Sequence, residues 1–167
     1  MDAPSQAHQP EFSERLRPSA GFWAVVPLLG AMVAVSLLPV SATGAVVGAV
    51  TFSALAVAAL VAASPTVAVT GGELLAGPAR VPVALLGPAQ AFIGEQARLE
   101  RGPRIDARAF LMVRGWVGPV VRIPLHDPSD PTPYWLVSTR RPDELVAVLA
   151  RHTGLDLPGD GRAASPD

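Results

Sequence analysis

The sequence predicts a membrane α-helical hairpin of two transmembrane helices, followed by a small all-β domain that ends in a helix. Three observations carry that prediction. From Ser19 to Gly72 there is no Asp, Glu, Lys, Arg or His. Beyond Pro65 the apolar residues fall into short runs punctuated by Gly and Pro, which is strand punctuation. The last patterned segment, before a tail of Pro, Gly, Ala and Asp, repeats at helical spacing.

The uncharged block comes first. A bilayer span needs about 20 mostly apolar residues, so residues 19–65 have room for two, over about 21–39 and 44–64. Pro39-Val-Ser-Ala-Thr-Gly44 between them suits a tight reversal. A cleavable signal peptide fits poorly, because a polar, acidic arm precedes the first apolar stretch and a second full-length stretch follows at once. Gly30-x-x-x-Ala34 and Gly44-x-x-x-Gly48 would let helix backbones approach closely. No ionisable residue lies within either span, which disfavours an ion or proton pathway. Arg15 and Arg17 precede the interfacial pair Phe22 and Trp23, Arg80 follows the second span, and the connecting loop is uncharged. The positive-inside rule then puts both termini in the cytoplasm, on the inner face of the cell membrane.

The β domain is expected over residues 66–154. Its strands are expected near Val67–Thr70, Glu73–Ala76, Arg80–Leu85, Gln90–Ile93, Ala109–Val113, Val120–Pro124 and Tyr134–Ser138. Gly71-Gly72 and Gly77-Pro78 supply the first two turns. A helix follows over 142–153, with Pro142 at its start, Asp143 and Glu144 in its first turn and Gly154 past its end. Residues 1–18 are expected to be a loose arm and 155–167 a disordered tail. About seven strands and one C-terminal helix is the element order of a pleckstrin-homology-like barrel, a fold-level analogy that carries no function.

FSERL at Phe12–Leu16, the paired spans, AFLMVRGWV at Ala109–Val117 and DPSDPTPYWLVSTRRPDELVAVL at Asp127–Leu149 together resemble an uncharacterised family of actinobacterial membrane proteins catalogued as domain of unknown function 3093. The resemblance implies the topology and the source. It implies no activity and no functional residue.

Composition narrows the function classes. A net charge of −1 gives no global field for nucleic acid, and the absence of Cys removes disulfides, thiolate metal sites and a Cys nucleophile. His126, Asp127 and Asp130 form the only histidine and carboxylate cluster, and the surrounding prolines mark it as a turn in which Asp side chains cap backbone N–H groups. Ser138 and Thr139 are expected to cap the last helix. No catalytic residue, metal ligand or cofactor is therefore expected.

The candidate binding residues are Arg101, Arg104, Arg108 and Arg114 in one basic stretch, Trp116 at a turn, and Arg140 and Arg141 at the entry to the last helix. Basic groups near a bilayer attract anionic headgroups by about 1 kcal/mol each. Internal ion pairs explain the same arginines equally well, and Trp135 is expected in the core. The expected function is a non-enzymatic, membrane-anchored binding module for a protein partner or anionic lipid. An accessory subunit docking through its small-residue helix faces is the alternative, and a metal-dependent enzyme using His126 and Asp127 a remote one.

Overall fold

The computed structural model describes residues 10–154. The first part of the expected loose arm, with His8, and the expected tail of 155–167 lie outside the described residues. The chain divides into two units, a helical one of residues 15–65 with 115–117 and a β unit made of the rest.

In the helical unit, α1 (Ala20–Leu37) and α2 (Ala42–Ala62) are antiparallel partners joined by a short turn. At 1.5 Å per residue they reach about 27 and 32 Å, close to the ~30 Å hydrocarbon thickness of a bilayer. Ser41 caps α2, its hydroxyl accepting the Gly44 N–H at 3.1 Å. α1 continues through Pro27. A Cβ on Gly30 would overlap the Ser53 hydroxyl, and one on Gly48 would lie 2.6 Å from a Leu37 methyl. Both glycines therefore face the other helix of the same hairpin, and their small size is used inside it.

The β unit holds two four-stranded sheets. The first has the order β1 (Phe12–Arg15), β2 (Thr66–Thr70), β3 (Glu73–Ala76), β4 (Ala79–Pro82). Gly71 and Gly72 both take positive φ in the two-residue turn between β2 and β3, a conformation that L side chains resist. The second has the order β5 (Gln90–Phe92), β7 (Val120–Pro124), β8 (Tyr134–Ser138), β6 (Phe110–Met112), with β6 parallel to β8 and the other pairs antiparallel. All five residues of β8 are buried. The helix α3 (Gly94–Glu100) packs Ala97 against Val120, Tyr134 and Leu136, and α4 (Pro142–Thr153) lies on β5 and β7 through its buried Leu145, Val148 and Leu149 side.

All seven expected strands are present, and α4 has its expected bounds. Four features differ. Residues 12–15, expected within the loose arm, form β1, because Phe12, Glu14 and Leu16 alternate with exposed neighbours and β2 offers an edge. α3 has no counterpart among the expected elements: it buries only Ala97 and Glu100, too little for an apolar stripe to show. The expected strand Arg80–Leu85 stops at Pro82, where a 3-10 turn over Val83–Leu85 takes over. The two sheets do not close into a barrel among the described residues: β4 and β5 are unpaired with each other, and only a single bridge, Leu86 to Leu125, continues the ladder beside β7.

Candidate functional site

Three polar constellations organise the molecule. The first lies where α3 covers β7 and β8. Glu100, 3 % exposed, accepts from Arg104 at 3.2 Å and from Arg122 at 3.3 Å. The Arg122 guanidinium stacks 4.0 Å over the Tyr134 ring, and the Tyr134 hydroxyl accepts the Asp106 N–H at 2.8 Å. Arg104 also donates to Gln96, and Arg108 pairs with Asp106 at 3.2 Å. That side-chain bond, reinforced by the Arg108 N–H, holds the Asp106 carboxyl below the ordinary range and raises the guanidinium in turn. Arg101 turns its Nε back to the Ala97 carbonyl. The basic stretch is thus laced to its own backbone and carboxylates.

The second constellation joins β1 to the entry of α4. Glu14 accepts from the Thr139 hydroxyl at 2.5 Å and from the Arg140 N–H at 3.1 Å, and its carboxylate lies 3.7 Å from the Arg140 guanidinium. Arg141 packs over the Phe12 ring at 4.9 Å and pairs with Glu144, whose carboxyl this bond holds below its usual range. Neither Ser138 nor Thr139 caps the helix. Arg141 occupies that position, while the Ser138 hydroxyl accepts the Arg114 N–H and the Thr139 hydroxyl accepts the Arg141 N–H. The helix starts two residues later than a Thr139 cap requires.

The third constellation is the base of the hairpin. The Leu16 N–H donates to the Pro65 carbonyl and the Leu16 carbonyl accepts from Trp116 Nε1 at 3.0 Å. Trp116 also meets the Phe22 ring edge-on at 5.3 Å. Expected at a turn as a candidate binding residue, it is half-buried against the hairpin base. Beside it, Arg15, Arg17, Pro18, Trp23, Val61 and Ser64 line a cavity of about 240 Å³. Leu16 and Pro18 are buried while Arg15 and Arg17 are exposed.

The loop of Asp127 and Asp130 has the expected turn structure. Asp127 accepts the Ser129 hydroxyl and N–H at 2.6 and 2.8 Å, which lowers its pKa, and Asp130 accepts the Thr132 N–H at 2.9 Å. His126 lies against Gly87, where a Cβ would come within 2.7 Å of its ring.

Glu14, Glu100, Arg122 and Tyr134 were not singled out from the sequence. Their one legible signal is that FSERL and STRRP, two of the segments carrying the family resemblance, supply Glu14 and its partners. No curated protein and no solved structure matches the chain. The family model described as Protein of unknown function (DUF3093) matches residues 11–149, most of the chain and all three constellations, and the chain belongs to that family.

Proposed function

We propose that the protein is a non-enzymatic, membrane-anchored module that holds its β unit at the cytoplasmic face of the cell membrane, where it binds a protein partner or anionic lipid. The observation that carries this reading is the exposure of the hairpin. Only 11 % of the first span and 6 % of the second is buried. Leu28, Met32, Val35, Val46, Val50 and Leu55 are each more than half exposed, an apolar surface far beyond what a water-soluble monomer tolerates. A soluble core helix would hide these residues.

Topology independently supports placing both flanking segments on one side of the bilayer. β1 precedes the hairpin and β2 follows it, yet the two are neighbours in one sheet. Chain ends that share a sheet lie on the same side, so the hairpin crosses the bilayer an even number of times. A PH-like relationship finds support in the β2-β3-β4 meander and the C-terminal helix, with the parallel β6–β8 pair as its departure. Gly30 and Gly48 face inward, which favours the binding-module reading over docking as an accessory subunit through the small-residue faces.

The chain has no cysteine, so any introduced thiol is the only one. Val40→Cys, in the hairpin turn, is expected to react with a membrane-impermeant maleimide on intact cells, and Ala84→Cys only after permeabilisation. The reverse pattern would refute the orientation. Release of the chain from membranes by alkaline carbonate would refute the anchor.

A further inference from the structure

We infer that the cavity at the hairpin base seats the phosphate of an anionic phospholipid, with Arg15 and Arg17 as its ligands; the inference rests on the membrane-anchored reading above. Four features of the cavity point to this occupant. Among the described residues that line it, two carry guanidinium groups and none is acidic, which suits an anion. Guanidinium is the side chain best matched to phosphate oxygens, which it can meet with two parallel N–H donors.

Position selects the source of that phosphate. Trp23 belongs to the first turn of α1, and Val61 and Ser64 to the end of α2, so the cavity opens at one end of two bilayer-length helices, at headgroup depth. Trp23 is the kind of residue that settles at that depth, and Val61 continues into the exposed apolar surface along which acyl chains would run. A volume of about 240 Å³ is below the ~300 Å³ at which pockets for whole small molecules begin. It suits a headgroup whose tails stay in the bilayer.

The site is also built in advance of any ligand. Leu16, between the two arginines, has both backbone groups bonded, its N–H to Pro65 and its carbonyl to Trp116, which fixes the segment beside the end of α2. Arg15 Nη2 lies 3.5 Å from the Val61 carbonyl, in the last turn of α2, an oxygen that also accepts the Ser64 N–H at 3.2 Å. That engages one of five guanidinium donors. Trp116 is a positioning residue here, acting through Leu16.

The full chain, inserted in nanodiscs of equal phosphatidylglycerol and phosphatidylcholine and released for native mass spectrometry, is expected to retain phosphatidylglycerol selectively. Arg15→Gln with Arg17→Gln is expected to cut that preference about 25-fold, and Arg17→Gln alone about fivefold, at the usual increment per basic residue. Arg104→Gln with Arg108→Gln is expected to leave it intact. An undiminished preference in the Arg15 and Arg17 variants overturns the site. Displacement of the lipid by excess inorganic phosphate overturns the lipid as its source, and an equal preference lost by the Arg104 and Arg108 variants relocates the contact and overturns it too. A wild-type chain that resists carbonate extraction but shows no lipid preference refutes this site alone, whereas extraction refutes the anchor itself.

Discussion

Trp116 Nε1 donates to the carbonyl of Leu16, a hydrogen bond of 3.0 Å between residues one hundred positions apart. It ties the loop between β6 and β7 to the strand exit that leads into the first helix. Replacing Trp116 by Phe keeps the ring near Phe22 but leaves the buried Leu16 without that donor. The expected loss is about 1–3 kcal/mol, read as a lowered melting temperature in detergent. Trp116→Ala should lose up to ~1.5 kcal/mol more by giving up the edge-on contact with Phe22. A Phe variant as stable as wild type would show that the bond contributes nothing net.

Gly30 sets the closeness of the two helices. Gly30→Val forces the Ser53 hydroxyl and the nearby Ala49 carbonyl away, and overpacking of this kind costs about 1–3 kcal/mol. Ser53→Gly should recover part of the loss by vacating that space. Titration with denaturing detergent, followed by helix content, measures both variants. No rescue in the double variant means the helices adjust elsewhere.

Glu14 fastens β1 to the loop before α4. Glu14→Ala removes an acceptor shared by a hydroxyl, a backbone N–H and a guanidinium, and bonds to a charged group are worth about 1.5–3 kcal/mol. Proteolysis should then cut first near Phe12, as β1 frays from the sheet edge. Cleavage that begins elsewhere would place the weakest segment outside this knot.

Glu100 is the most buried carboxylate described, and its removal leaves Arg104 and Arg122 facing each other without an anion. Both arginines are partly exposed, so water screens much of the effect, and Glu100→Gln should cost about 1–3 kcal/mol. A double-mutant cycle with Arg122→Met isolates the pair. A coupling energy near zero would mean that Arg104 alone satisfies Glu100.

Three exposed carboxylates give the acid response its sign. Hydrogen bonds from Arg108 to Asp106, from Ser129 to Asp127 and from Arg141 to Glu144 hold each folded pKa below its ordinary value. A depressed folded pKa contributes stability that is complete above the unfolded value, about 4, and is lost as pH falls through the lowered one. Thermal stability is therefore expected to be insensitive to these groups from pH 7 to about 5 and to fall below about 4. Asp106→Asn, Asp127→Asn and Glu144→Gln together should make that acid limb shallower. An unchanged limb would assign it to other groups.

What was legible in the sequence is what local pattern dictates. The hairpin shows as a charge-free block, the seven later strands as short apolar runs between turn residues, and α4 through its proline start and glycine end. β1 was missed because four residues in a polar arm give alternation too short to weigh, and its partner strand lies beyond both helices. α3 was missed because it buries one alanine and one glutamate. The position of Trp116 was illegible for a different reason: its partners, Leu16 and Phe22, are brought to it only by tertiary structure. For the arginines, sequence supplied the residues and the option of internal ion pairs but not the partners, which are Glu100 for Arg104 and Asp106 for Arg108.

The placement of the hairpin between β1 and β2 also orders the folding of the chain. β1 is made first, but its sheet neighbour emerges only after both helices have been synthesised, so that pairing must wait for them. Until β1 returns to it, the edge of β2 is bare, and bare edges attract other strands. On the membrane-anchored reading proposed above, completion of the first sheet would report that both crossings have been made.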